Sequence, residues 1–204
     1  MSPPAEPLHV PYLTTERLTL TVPDEQDAPA LLEYAKRNDG PQRPWSPPTP
    51  ADAFTTERTL RRIREGREQL RAGTHVRFWL RSKQAEAGPF VGGVTLSQIT
   101  FGAFRCARVG YHLDYEYQGQ GLMAEALRAV IRYAFEELRL HRLEAGVIPT
   151  NERSVRVLER AGFVVEGYAR KYLFINGQLR DHLLTSLSNP ALEDPAVFLE
   201  LCSS

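Results

Sequence analysis

The stretch His112-Leu113-Asp114-Tyr115-Glu116-Tyr117-Gln118-Gly119-Gln120-Gly121-Leu122-Met123 joins an alternating, strand-like run to a long helix through a polar turn with two glycines. A helix N-terminus presents backbone N–H groups that have no partner inside the helix and that converge on one point. Gly119 and Gly121 remove the side chains that would hold a ligand away from those groups. Such a turn can grip an anion, above all a pyrophosphate, with about 1.5–3 kcal/mol from each hydrogen bond to a charged group. An ordinary tight turn before a helix uses the same residues, and Gly-x-Gly alone does not separate the two. A dinucleotide fingerprint, Gly119-x-Gly121-x-x-Ala124 with Glu144 downstream for a ribose hydroxyl, is formally present as well. Three features oppose it: Asp114 to Gln118 separate the strand from the first glycine, Glu144 falls near the start of its strand, and a hairpin rather than further β-α-β units follows residue 163.

The helix behind the turn is the strongest in the chain. Over 122–138, Leu122, Met123, Ala126, Leu127, Val130, Ile131, Ala134, Phe135 and Leu138 share one face. Strands are expected over 17–22, 75–81, 90–101, 106–113 and 142–148, the second and third joined by the turn Ala87-Gly88-Pro89. Asp24 caps an expected helix over 25–38 that Gly40 ends, and Asn151 caps a short helix that Gly162 ends. Asn176-Gly177 between Tyr168–Ile175 and Gln178–Leu187 marks a hairpin. Only the strands flanking the long helix require a parallel crossover. The pattern therefore predicts a mixed α/β (α+β) layer with a mostly antiparallel sheet, not a doubly wound one.

Two stretches admit a bland and a functional reading. Residues 41–50 hold five prolines and Trp45, and form either a rigid connector or a lid or wall of the acceptor site. The helix over 52–72 sets Arg58, Arg61, Arg62, Arg64, Arg67 and Arg71 against Asp52, Glu57, Glu65 and Glu68, and reads as a solvated face laced with i,i+4 pairs rather than an RNA-binding one.

The 204 residues suit one domain, here 16–188, with an N-terminal arm over 1–15 and a tail or short helix over 189–204. Formal net charge is +0, so no long-range field draws the chain to DNA or anionic lipid. Cys106 and Cys202 make no disulfide framework, and no signal peptide or spanning stretch is visible, which suits the cytoplasm. His9, His75, His112 and His141 lack metal-ligand spacing, so no metal is expected.

Gln118-Gly119-Gln120-Gly121-Leu122-Met123 resembles the cofactor signature of the GNAT N-acetyltransferase superfamily. Asn151-Glu152-Arg153-Ser154 through Gly162-Phe163 resembles its second signature. Val109-Gly110-Tyr111, Gly119 to Ala126, Glu166-Gly167-Tyr168-Ala169 and Asn176-Gly177-Gln178-x-Arg180-Asp181-His182 are similar to its RimJ/RimL branch, most of all to the type that acetylates ribosomal-protein alanine N-termini. The resemblance spans roughly residues 12–190. It implies a sheet with a splayed parallel strand pair, acetyl-CoA as cofactor and a peptide N-terminal amine as acceptor, on a monomer or homodimer. The pyrophosphate would meet the amides of Gln118 to Met123. The pantetheine would pair with the strand edge near Leu113, and Asn151 and Ser154 would lie at the thioester; an N-cap and a helix-surface hydroxyl are the plainer roles of those two residues.

The sequence departs from the superfamily at Met123, where glycine or alanine is usual. Leu158 stands where many relatives place an acid tyrosine, and Gly146 where some place a base glutamate. Ser154 is therefore the candidate proton donor, and Glu144, His182 and Asp181 are candidate bases acting through water. Glu144 paired to an arginine and His182 as a satisfied strand histidine are the competing readings. A small-molecule amine acetyltransferase, and a non-catalytic ribosome-assembly factor that keeps the cofactor pocket, remain the alternative functions.

Overall fold

Val76-Arg77-Phe78-Trp79-Leu80-Arg81-Ser82 alternates buried and half-buried positions without a break, the signature of a strand with two unlike faces. The computed structural model describes residues 8–84 and 88–203. The first seven residues of the expected arm, Ala87 of the expected turn and the Cys202 side chain lie outside the described part. In chain order the elements are β1 (Tyr12–Thr14), β2 (Leu18–Thr21), α1 (Ala28–Gln42), α2 (Thr56–Arg71), β3 (Val76–Ser82), β4 (Phe90–Thr100), β5 (Cys106–Leu113), α3 (Leu122–Arg132), β6 (Arg142–Val147), α4 (Glu152–Arg160), β7 (Val164–Ile175), β8 (Gln178–Ser188) and α5 (Pro195–Ser203).

The strands form one sheet in the order β1-β2-β3-β4-β5-β6-β8-β7, and β5–β6 is its single parallel pair. This is the mixed, mostly antiparallel layer that the sequence predicts. Leu18, Phe78, Val94, Val109, Leu127, Val130 and Leu143 belong to the core between the sheet and α3. Ala28, Leu31, Tyr34, Ile63 and Phe90 form a smaller core on the other face, under α1 and α2.

Five local expectations change. Residues 12–14, read as part of an arm, add an edge strand, because Tyr12 to Thr14 pair with Thr19 to Thr21. Helix α1 runs past Gly40 to Gln42: Gly40 does not adopt the left-handed conformation of a helix stop, and Pro41 falls in the last turn. The long helix widens over Tyr133–Glu137 into a π turn closed by Leu138 N–H donating to Tyr133 O at 3.1 Å. That turn sets the Tyr133 ring edge-on to Phe78 at 5.3 Å. Strand β7 begins at Val164 rather than Tyr168 and carries register shifts between Val165 and Gly167 and between Ala169 and Leu173. The arginines of α2 also find their acids outside the helix, Arg58 and Arg61 on Asp52 and Arg64 on Glu25.

Candidate active site

Asp114 ends β5 and is fully buried. Its carboxylate accepts from Arg37 Nε at 2.7 Å, Asn38 Nδ2 at 3.0 Å and the Glu116 amide at 3.1 Å, so the turn that follows is tied to α1. Gly119 and Gly121 then take φ of +80° and +77°, a left-handed conformation that costs an L side chain about 1–2 kcal/mol. Among the described residues no protein group accepts from the backbone amides of 119–124, while the Glu125 amide closes the first helical turn on Gly121 O at 3.1 Å. The Leu122 and Met123 side chains are buried in the core, so only their backbone faces the turn.

Arg17 holds this turn from β2. Its Nε and backbone N–H donate to the two Glu125 oxygens at 2.7 and 2.9 Å, and its NH1 donates to Gln120 O at 2.9 Å. Burial alone would raise the Glu125 pKa, but hydrogen bonds from Thr15 and Arg17 outweigh it and hold the carboxyl below its usual value. The Gln118 side chain donates to Leu113 O at 3.4 Å and accepts from Arg153 at 2.8 Å, bridging the end of β5 to α4. The Gln120 side chain donates through Nε2 to Glu116 O at 3.3 Å.

Strands β5 and β6 pair only over residues 106–108 and 142–144. Beyond that, β5 continues with β4 to Leu113 and β6 continues with β8 to Val147, so the edges they turn toward each other have no partner strand. An open edge of this kind accepts an amide-bearing chain as an added strand. Tyr111 reaches from β5 to α4, its hydroxyl 2.7 Å from Ser154 Oγ and donating to Ser154 O at 3.1 Å. Burial pushes the Tyr111 hydroxyl up to about 12, and the bond to Ser154 acts the other way. Asn151 Oδ1 accepts from the Ser154 amide at 3.2 Å and caps α4. Leu158 is buried, which removes that position from the site.

On the opposite face of the sheet, a Cβ built on Gly146 would lie 3.5 Å from His182 Cδ2 and 3.6 Å from Tyr172 Cε1. His182 and Tyr172 thus fill the space beside the position where relatives were expected to carry a glutamate. His182 Nδ1 is 3.1 Å from Arg180 O; a carbonyl only accepts, so Nδ1 carries the proton of that bond. Arg108 donates to the Tyr172 hydroxyl. Glu144 is bound by Arg142 Nε at 2.9 Å, and Arg142 also holds Glu166. Asp181 accepts from Tyr168 and from the Lys171 amide, both at 2.7 Å, and stabilises the irregular part of β7. The stretch 43–50 touches the hairpin tip, since Asn176 N–H donates to Ser46 O at 3.0 Å.

His112 points to this same face. Its Nδ1 is 2.7 Å from the Tyr34 hydroxyl, which accepts from Gln42 at 2.8 Å. Burial first, and the Arg62 charge second, depress its pKa to about 4. A histidine held neutral in the fold but titrating near 6.5 when unfolded contributes stability in full above pH 6.5, and loses it as pH falls toward 4. Between pH 7 and pH 5, urea unfolding should therefore lose about 1–2 kcal/mol more from the native chain than from His112→Gln. Equal losses would show that His112 does not couple to folding.

Residues 17–164 match the acetyltransferase (GNAT) domain family. The chain belongs to the GNAT acetyltransferase family. This acetyltransferase is 35% identical over 178 residues to the [ribosomal protein uS5]-alanine N-acetyltransferase of Escherichia coli K12, covering 87% of this chain and 91% of that one. The crystal structure of the ribosomal-protein-S5-alanine acetyltransferase from Vibrio fischeri superposes with a TM-score of 0.83 at 36% identity, over 88% of this chain and 97% of that one. RimJ of Mycobacterium smegmatis, solved in complex with CoA-disulfide, gives a TM-score of 0.82 at 29% identity, over 100% of this chain and 98% of that one.

The enzyme's acetyl donor is acetyl-CoA. The residues present fit it: the unpartnered amides of 119–124 suit a diphosphate, and the unpaired β5 edge suits the amides of a pantetheine arm. Sequence reasoning missed Arg17, Tyr172 and the bridging role of Tyr111. Their partners lie far along the chain, so no local spacing marks them.

Proposed function

We propose that this acetyltransferase acetylates the N-terminal α-amine of a protein in the cytoplasm, with ribosomal proteins that begin with alanine as the substrate class. The observation that carries the substrate class is the similarity to the E. coli uS5-alanine enzyme along nearly its whole length. The geometry supports a chain-like acceptor. The sheet face opposite α3 has an open floor at Gly110, where a Cβ would meet nothing within 4 Å, and the Ser46–Asn176 bond bridges the two sides of that face.

Acetyl-CoA, when bound, supplies an activated acyl group on a thiol leaving group. The amides of Gly119 to Met123 would hold its diphosphate, Gln118 and Leu113 would shape the strand edge beside its arm, and Asn151, which caps α4 through the Ser154 amide, would lie with Ser154 at the thioester end. A free α-amine titrates near 7.7–8.0 against about 10.4 for lysine, so a modest base suffices. With Nδ1 donating to the Arg180 carbonyl, His182 Nε2 takes the amine proton directly or through one water. Glu144 and Asp181 are each committed to other groups and act as structural carboxylates. The Tyr111–Ser154 hydroxyl pair donates to the departing sulfur. With Tyr111 up at about 12, its hydroxyl stays protonated and works as a hydrogen-bond donor.

The test is acetylation of peptides that begin with alanine and carry an internal lysine, read by mass spectrometry. The acetyl group should appear on the α-amine, at a rate that rises with pH up to about 8. Peptides with a blocked N-terminus should stay unmodified. Acetylation of lysine alone, or of polyamines with peptides ignored, would overturn the reading.

A further inference from the structure

Arg62 on α2 and Arg77 on β3 line one cavity of about 60 Å³, together with Thr59, Leu31, Val22 and Trp79. That space admits several water molecules, and so a carboxylate group. The stem of Arg77 packs against α2 at Gly66: a Cβ there would stand in ordinary contact, 3.7 Å from Arg77 Cδ. Among the described residues neither guanidinium has a carboxylate partner, although Arg58, Arg61 and Arg64 of the same helix all do. Packing around the Arg62 head and the neighbouring charges of Arg77 and Arg58 lower its pKa against the opposing charge of Glu65, while burial and Arg77 lower that of His75. Arg62 and Arg77 repel each other beside the cavity, Glu65 offsets only part of that at Arg62, and a bound anion would relieve the rest; arginine pairs bind carboxylates with particular strength.

The register places this cavity relative to the reacting edge. Arg77 pairs with Thr95, and Thr95 pairs with Gly110 at the β5 edge. Strands lie about 4.8 Å apart, so Arg77 stands about 10 Å from Gly110 across the same face. An extended chain advances about 3.3 Å per residue, and 10 Å is about three residues. We infer that the acceptor chain of this enzyme carries an acidic side chain at its third or fourth residue, bound by Arg62 and Arg77. This rests on the α-amine reading and names the sequence class that reading leaves open. It also disfavours polyamines, whose cations would meet the same two arginines.

The experiment compares alanine-terminated peptides carrying Glu, Gln or Lys at residues 3 and 4, with CoA thiol release as the readout. The Glu peptide should exceed the Gln peptide at least tenfold in kcat/KM, mostly through KM, and 0.5 M NaCl should shrink the ratio. In the double variant Arg62→Gln/Arg77→Gln the ratio should fall to near one. In Arg77→Glu the order of the Glu and Lys peptides should reverse. The acetyl-CoA-induced melting shift reports that each variant is folded with its cofactor site intact. Equal use of Glu and Gln peptides by the native enzyme, or a preference that survives in the double variant, overturns this inference and leaves the α-amine reading standing. If no peptide is acetylated whatever its charge, the α-amine reading fails and this inference falls with it.

Discussion

Gly119→Val is expected to weaken acetyl-CoA binding about 100-fold while leaving a folded protein. Gly119 sits at φ +80°, and a Cβ there meets no protein atom within 4 Å. The side chain would point into the open space that the free amides of 119–124 surround. Each amide bond to a charged oxygen contributes about 1.5–3 kcal/mol, so losing one or two removes about 3 kcal/mol, which is a factor of about 100. The left-handed backbone adds a fold-stability loss of about 1–2 kcal/mol. The two effects separate in a melting experiment. At 100 times its native Kd, acetyl-CoA should stabilise the parent chain by about 2.7 kcal/mol and the variant by about 0.4 kcal/mol. A variant that melts lower but keeps the full ligand shift would place the diphosphate away from this turn.

The turn was legible in the sequence because its determinants are local. Two glycines, a preceding strand and an amphipathic helix lie within one short stretch, and only glycine takes the required φ cheaply. The hairpin was legible for the same reason: Asn176 and Gly177 both adopt positive φ, at 46° and 78°. Asn151 likewise caps α4 through its neighbour three residues on. What sequence reading lost depends on distance along the chain. Arg17 clamps Glu125 across 108 positions, and Tyr111 meets Ser154 across 43. Neither pair has a period or spacing to reveal it. Helix α1 overran Gly40 because Asn38, four residues after Tyr34, is buried and spends its side chain on Tyr34 O and Asp114. Tertiary bonds of that kind hold a helix together past a weak stop signal. The proposed base shows the same dependence. The glutamate that relatives were expected to supply is Gly146 here, and a histidine from β8, 36 positions later in the chain, fills the adjacent space.

Asp114→Ala should produce the largest loss of stability available at this site. The carboxylate is fully buried and accepts from Arg37, Asn38 and the Glu116 amide, and Arg37 is two-thirds covered. Removing one partner of a buried pair costs about 3–5 kcal/mol, because the other charge is left without compensation. Arg37 keeps some solvent and a 3.3 Å bond to Phe90 O, which places the expected cost at the lower end, about 3 kcal/mol. For a chain of this size that is a fall in Tm of about 6–12 °C. Asp114→Asn retains an acceptor for the Glu116 amide and should lose about half as much. Removing the cation too, in Arg37→Gln/Asp114→Asn, should cost less than the sum of the two single changes, since no charge is then buried alone. The same tie carries function. Asp114 and Asn38 fix the Tyr115 and Glu116 amides, and the glycine turn departs from that anchor three residues later. Acetyl-CoA affinity should therefore fall about tenfold in Asp114→Ala at a temperature where the protein is still folded. A variant that loses stability but binds the cofactor as before would show that Arg17 and Glu125 alone hold the turn.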